Sequence, residues 1–484
     1  MIKELHQKLV NGETTSVKLT EEYFDRIKKD DESIGAYLTL TEDLALRQAD
    51  LIDKKIKQGE KIDLIAGIPG AIKDNICVAG TRTTAASKIL DNYIAPYNAT
   101  VAERLLKEGA VFLGKTNMDE FACGSSTEKS AYRPTKNPLD PERVPGGSSG
   151  GSAAAIAADL AVWSLGSDTG GSIRQPAAYT GTVGLKPTYG RVSRYGLLAM
   201  ASSLDQIGPI VKTVEDAAIV LSRIAGEDSM DATSARSGGK FYEDYLNGNL
   251  AGAKIGVPRE YVGEELDSEV KMVFEQSLKK FEKAGAEIRE VNIPLTPYAL
   301  AVYYILMTSE LSSNLARFDG IKYGLSIDDE QRSADNSGTL LEIYLDSRRY
   351  GFGEEIKRRI ILGTYALSAG YYDAYYKKAQ KVRRMLREDF EKVFNEKDGV
   401  DFIFSPTTPE PAFKFGEKSK DPLAMYLADI YTVSANLVGV PAISFPIGMV
   451  KREGKDLPLG GQLMGKWFDE ENLLNAAYAF EQLE

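Results

Sequence analysis

Val144 to Thr188 reads VPGGSSGGSAAAIAADLAVWSLGSDTGGSIRQPAAYTGTVGLKPT, and its texture points to an α/β fold. Two glycine-serine clusters bracket the apolar run AAAIAADLAVWSLG. That run is shorter than the roughly 20 apolar residues of a membrane span and contains Asp159, so it reads as helix, turn and buried strand. A second helix is expected to start at Ser172 to Ala178. The same rhythm continues upstream. IAGIPGAI is a strand-and-turn region, and ATVAERLLKEGAVFLGK reads as helix, Gly109 stop and strand. Downstream, AKIGVP, SEVKMVFEQSLKKFEKAG and AEIREVNIP repeat the phrase, with Gly285 as the stop. A βαβ rhythm predicts a mostly parallel sheet covered by helices on both faces. Residues 1–60 read as a helical wrap: Ile2 to Val10, a Thr15/Ser16 cap, then a helix ending at Gly59. Tyr375, Ala379, Val382, Leu386, Phe390 and Val393 fall on one apolar helix face, and Asp469 is placed to cap a last helix with Phe468 and Leu473 as a hydrophobic staple.

Composition narrows the functions. The 484 residues carry 70 acidic and 59 basic side chains, a net charge of −11. Counterion release on a nucleic acid needs a dense Lys/Arg face, so the main grip on any nucleic acid is expected from a partner. Cys77 and Cys123 are too few for a disulfide framework or a metal cluster, and a reducing cytoplasm is the expected location. No signal peptide or membrane span is expected. The one histidine, His6, stands among Lys3, Glu4, Gln7 and Lys8 and reads as a solvated helix residue. Ser-His-Asp and Cys-His catalysis and histidine-built zinc sites lose their footing with it.

Serine, lysine and backbone remain. Gly146 and Gly147 precede Ser148, Gly150 and Gly151 follow Ser149, and Gly170 and Gly171 precede Ser172. Such glycines let successive N–H groups converge on an anion, as an oxyanion hole requires. Taken singly, GGSSGGS is a flexible turn and TGGS a loop-to-helix junction. Neither matches the phosphate-binding patterns G-x-x-x-x-G-K-[ST] or G-x-G-x-x-G.

The whole run, with Ser148 and Ser172 standing 24 residues apart and a lysine in GIPGAIKDN upstream, resembles the signature of the amidase signature family. Within that family GKTNMDEFACGSSTE, SSLDQIGP and DPLAMYLADIYT most resemble the glutaminase subunits of tRNA-dependent amidotransferases. The resemblance covers essentially the whole chain. It implies one domain, 1–484, on a single large mixed, mostly parallel sheet: the wrap 1–60, a signature core 61–220, and 221–484 supplying the rest of the sheet and the substrate-binding helices. It implies a Ser-cisSer-Lys triad with Ser172 as nucleophile, Ser148 as bridging serine and Lys73 as base, and an oxyanion held by the N–H groups of Thr169, Gly170, Gly171 and Ser172. Ser149 is expected to make a structural hydrogen bond instead. Glutamine is the implied substrate, with Arg359 on its carboxylate and Tyr303 and Asp429 on its ammonium group; Arg358 and Tyr304 are the register alternatives. No metal or cofactor is implied for this chain itself. ATP and Mg2+ would be used in a B subunit that receives the ammonia and holds misacylated tRNA, and a C subunit would complete a heterotrimer.

Lysine's basicity is the physical difficulty. An exposed lysine titrates near about 10.4, so a base working near neutral pH needs Lys73 buried, whereas a surface pair with Asp74 would keep it charged. Two other readings share these residues: a stand-alone amidase of the same fold, and a non-catalytic module whose glycine loops hold a phosphorylated ligand.

Overall fold

The computed structural model describes residues 1–483 except 237, 264–265, 327–338, 396 and 419–420. One eleven-stranded sheet runs through them. In chain order its strands are β1 Tyr37–Leu40, β2 Pro69–Lys73, β3 Val111–Thr116, β4 Trp163–Asp168, β5 Val183–Lys186 and β6 Gln206–Val211, then β7 Lys254–Pro258, β8 Glu287–Val291, β9 Phe402–Pro406, β10 Ala442–Arg452 and β11 Lys455–Met464. Their spatial order is β1-β3-β2-β4-β6-β5-β10-β11-β9-β7-β8.

The βαβ phrases form as the sequence predicts. The Thr100–Lys107 helix turns at Gly109, with φ +85°, into β3, which lies parallel to β2. The Ser268–Lys283 helix turns at Gly285, with φ +93°, into β8, parallel to β7. The expectation of a mostly parallel sheet is corrected, because only four of the ten strand pairings are parallel. Parallel pairs flank a run from β4 to β9 that is antiparallel throughout, and the long hairpin β10–β11 lies within it. Hairpins need no crossover helix, so helix-strand rhythm does not announce them.

Other expectations are also refined. Thr15 does cap the Ser16–Ile34 helix, its hydroxyl accepting from Lys18 N. The wrap is not wholly helical, however: β1 lies inside it and closes the sheet edge against β3. The helix expected from Ser172 begins at Arg174. The apolar face of the Lys378–Asn395 helix packs inward through Ala379, Leu386 and Phe390, while Tyr375 stays exposed. Asp469 stands at the N-cap of the last helix without a capping bond and accepts from Asn472 instead; Phe468 is exposed. His6 is not fully solvated: it is half-buried, and burial lowers its basicity.

β2 and β4 position the site. They are parallel neighbours, every residue of both is buried, and Lys73 and Asp168 are their respective last residues, at the carboxyl ends. Their close approach depends on Gly70, where a Cβ would stand 2.0 Å from the Trp163 indole. Ligand sites of open α/β sheets lie beyond such carboxyl ends. Among the described residues no helix is long and apolar enough to cross a membrane, and no His/Cys/Asp/Glu group is arranged to hold a metal ion.

Candidate active site

Lys73 ends β2 and is fully buried. Its Nζ lies within hydrogen-bonding distance of Ser148 Oγ and Ser149 Oγ, each at 2.8 Å, of Ser167 Oγ at 3.0 Å and of the Ser167 carbonyl at 3.3 Å. Burial pulls it down to about 7, against the more distant pull of Asp119, Asp168 and Asp205 toward the charged form. That shift is worth on the order of 5 kcal/mol in favour of the neutral amine. The alternative pairing with Asp74 does not form. Asp74 is itself buried, lies 3.5 Å from Lys115 and accepts from Thr84 N at 2.9 Å.

Ser148 follows a cis peptide bond from Gly147. Gly147 has no room for a side chain, since a Cβ would stand 2.2 Å from Asp119 Oδ2. Its N–H donates to Gln175 Oε1 at 2.8 Å. The two serines now separate by their bonds. Ser149 Oγ donates to the Ser167 carbonyl at 3.1 Å and its N–H to the Ser172 carbonyl at 3.2 Å, a structural tie between the two glycine loops. Among the described residues Ser148 Oγ has Lys73 Nζ as its one hydrogen-bond partner, so its proton can pass to that amine when the amine is neutral.

The second loop is organised by Asp168, the last residue of β4. Its carboxylate accepts from Gly171 N at 2.8 Å, Ile173 N at 3.1 Å, Arg174 Nε at 3.1 Å and Nη2 at 3.0 Å, and Asn436 Nδ2 at 3.0 Å. Burial would raise this carboxyl, but Arg174 holds it at about 2. The Asp168–Arg174 pair is wholly buried. Ser172 sits in the turn so formed, 8% exposed, its hydroxyl in no hydrogen bond among the described residues. Of the four N–H groups expected to face an oxyanion, that of Gly171 is already committed to Asp168. Those of Thr169, Gly170 and Ser172 have no acceptor among the described residues. Tyr303 lies directly on this loop, since a Cβ on Gly170 would stand 2.6 Å from its Cζ.

Beside the loops is a cavity of about 490 Å³ whose lining includes Ser125, Arg358, Arg359 and Tyr426. Arg359 is buried, donates from Nε to Glu355 at 2.7 Å, and lies 5.6 Å and 5.7 Å from the Tyr304 and Tyr426 ring centres. Arg358 is more exposed and donates to Glu355 and to the Tyr426 hydroxyl at 2.7 Å. Both arginines thus reach the cavity, whereas the tyrosines part: Tyr303 faces Gly170, and Tyr304 stacks on Tyr426 at 3.8 Å. Asp429 is buried, and burial raises its carboxyl to about 7. It accepts from the Ser125 hydroxyl, and Thr432 joins its carbonyl to that of Gly170, at 3.0 and 2.6 Å.

Several residues here carry no sequence signal of their own. Ser125 links Asp429 to Gln175, whose Nε2 donates to the Ser125 carbonyl at 2.8 Å, and so to Gly147. Glu120 holds the N-terminus of the Glu354–Leu367 helix, accepting from Gly353 N at 3.1 and 3.0 Å. Only the stretch GKTNMDEFACGSSTE, which contains Glu120 and Ser125, hints at their importance.

The chain is similar to known proteins over nearly its whole length. The chain is 56% identical over 481 residues to the A subunit of the glutamyl-tRNA(Gln) amidotransferase of Caldanaerobacter subterraneus subsp. tengcongensis, covering 99% of this chain and 96% of that one. The crystal structure of the corresponding glutamyl-tRNA(Gln) amidotransferase chain from Thermotoga maritima superposes with a TM-score of 0.79 at 43% identity, covering 96% of this chain and 91% of that chain. A peptide amidase from Stenotrophomonas maltophilia superposes with a TM-score of 0.81 at 30% identity, covering 99% and 96%. The family model described as Amidase matches residues 18–474, and the chain belongs to the amidase family.

Proposed function

We propose that this chain is the glutamine-hydrolysing component of a tRNA-dependent amidotransferase. The observation that carries the chemistry is the buried Lys73 amine, drawn toward neutrality and bonded to Ser148 at 2.8 Å. The relatives from glutamyl-tRNA(Gln) amidotransferases support the biological assignment.

In this reading Ser172 Oγ attacks the side-chain amide carbon of glutamine. Its proton passes to Ser148 Oγ as the Ser148 proton passes to the neutral Lys73 amine. The oxyanion is held by the uncommitted N–H groups at Thr169, Gly170 and Ser172. Collapse breaks the C–N bond while the proton returns from Lys73 through Ser148 to the leaving nitrogen, and ammonia departs. Water then attacks the acyl-serine ester, releasing glutamate and restoring Ser172. Arg359 takes the substrate carboxylate as a fork, and Asp429, ionised, takes the ammonium with Tyr303 beside it. The chain itself uses no metal or cofactor. A B subunit uses ATP and Mg2+ to activate misacylated glutamyl-tRNA(Gln), or aspartyl-tRNA(Asn), and accepts the ammonia. A C subunit stabilises the pair, and the complex works in the cytoplasm.

The test is glutamine hydrolysis by the purified chain alone, with B and C subunits, and with both plus charged tRNA. Formation of the complex and loss of activity in Ser172→Ala are expected. Rapid hydrolysis of simple amides by a chain that never binds a B subunit would identify a stand-alone amidase instead, and full activity in Ser172→Ala a binding module.

A further inference from the structure

One exposed edge of the Lys378–Asn395 helix, with the π-helical turn Asp373–Lys377 that leads into it, lines up aromatic and basic side chains. Tyr372 and Tyr376 stack with ring centres 5.3 Å apart, and the Tyr376 hydroxyl accepts from Gln380 Nε2 at 3.1 Å. Gln380, Arg384 and Arg387 then line a cavity of about 470 Å³, which Tyr189 and Trp467 also line. The Arg387 guanidinium lies 4.9 Å from the Trp467 ring centre. None of these residues belongs to the site around Lys73 or to the cavity at Arg359.

The charge pattern is out of keeping with the chain. Lys377 to Arg387 reads KKAQKVRRMLR, with six basic residues and no acidic one, in a protein of net charge −11. Like charges three and four apart on a helix repel by a few tenths of a kcal/mol per pair, a cost that a bound polyanion turns into attraction. Arg383 is occupied structurally: Nε donates to the Leu437 carbonyl at 2.7 Å, and Nη1 and Nη2 donate to Ser203 at 2.8 and 2.9 Å. The others are available. Among the described residues the ion pairs of Lys377, Arg384 and Arg387 are exposed ones one turn away, with Asp373, Glu388 and Glu391, and exposed pairs of this kind contribute at most about 1 kcal/mol. Among the described residues Lys378 and Lys381 form no ion pair.

We propose that this edge binds the phosphodiester backbone of RNA, with the Tyr372–Tyr376 pair as a stacking face for unpaired bases. Tyr372 to Arg387 spans about 22 Å of helix, room for several phosphates. Guanidinium forks suit phosphate, and aromatic faces beside a basic groove suit single-stranded segments of any sequence. That the RNA is the tRNA of the amidotransferase rests on the function proposed above. On that reading this chain contributes a share of the grip and the B subunit the larger part.

The test measures binding of a fluorescent tRNA transcript to the complex with B and C subunits, without glutamine. The triple variant Lys381→Glu/Arg384→Glu/Arg387→Glu is compared with Lys381→Arg/Arg384→Lys/Arg387→Lys. The acidic variant should bind at least ~10-fold more weakly, with a salt dependence shallower by about 2 in log–log slope. The charge-preserving variant should stay within ~3-fold of the parent, and hydrolysis of glutamine without tRNA should be unchanged in both. Single Arg384→Gln, at an exposed position that the fold does not require, should weaken binding by ~3-fold if the triple variant folds poorly. Unchanged affinity and salt slope in the acidic variants would overturn the proposal. So would loss of assembly with B and C while the isolated chain still binds RNA as before, which would make the edge a docking face for an acidic protein. RNA binding is read independently of Ser172, so this inference and the proposed chemistry can fail separately.

Discussion

Lys73 Nζ stands 2.8 Å from Ser148 Oγ, and among the described residues no carboxylate comes within ion-pairing distance of that amine. Its nearest acidic groups act only at longer range and offset part of the burial that brings it to about 7. A lysine so placed is neutral above that pH and an ammonium below it, so kcat for glutamine should rise with pH through about 7 and level off. Below about pH 6 the fall should approach tenfold per unit. Lys73→Arg keeps the size and donors but never deprotonates, so it should lose at least ~10³-fold at every pH from 6 to 9. An arginine variant retaining a tenth of the activity would show that the base lies elsewhere.

Asp429 supplies a second acid-side limit. Its carboxyl is raised to about 7 by burial, and it must ionise to hold an ammonium group. kcat/KM, which reports the free enzyme, should therefore fall with a limiting slope near two on the acid side. Asp429→Asn should return that slope to one, at the cost of a KM higher by ~10-fold or more. Ser125→Ala removes the hydroxyl that favours the ionised form, so its acid limb should shift to higher pH while kcat at pH 9 changes little. Steady-state profiles from pH 5 to 9 separate the three proteins.

What is legible in the sequence follows physical locality. Gly109 and Gly285 mark helix ends because a left-handed turn is a local need, and Thr15 marks a cap because its bond to Lys18 spans three residues. The antiparallel hairpin β10–β11 escapes such a reading because cross-strand pairing leaves no helix-length rhythm. Lys73, Ser148 and Ser172 stand out through their glycine setting and a family resemblance, not through periodicity. Ser125 and Gln175 do not, since the bonds from Ser125 to Asp429 and from Gln175 to Gly147 join residues 304 and 28 positions apart. Burial of Lys73 is a requirement of its chemistry that the sequence can state and only the packing of β2 against β4 can meet.

Asp168 and Arg174 form the ion pair on which the Ser172 turn is wound. Both are wholly buried, and Arg174 also donates to Asn436 Oδ1 at 2.6 Å and the Thr432 carbonyl at 3.0 Å. Removing one member leaves the other charge buried without its counterion, which costs about 3–5 kcal/mol. Arg174→Met should lower the denaturation midpoint sharply and abolish glutamine hydrolysis. Arg174→Lys should recover part of the stability but little activity, because a single ammonium cannot reproduce the fork on Asp168. Equal stability of the Met variant and the parent in urea unfolding would contradict this account.

Glu120 and Gly353 make the last test, because they separate holding a helix from touching substrate. The Glu120 carboxylate accepts from Gly353 N through both oxygens and from the Ser87 hydroxyl, at the N-terminus of the helix that carries Arg359. A side chain on Gly353 would collide with it, a Cβ standing 2.4 Å from Glu120 Oε2. Glu120→Ala leaves that helix end without its acceptor, a loss of about 1–3 kcal/mol. The first turn then frays and Arg359 loses its fixed position. The KM for glutamine should rise by ~10-fold while kcat at saturation falls less than ~3-fold, because Lys73 is held by β2 and Ser148 and Ser172 by the two glycine loops. Glu120→Gln keeps one acceptor and should recover part of the KM. A Glu120→Ala enzyme with parental KM and depressed kcat would place Glu120 in the chemistry rather than behind Arg359.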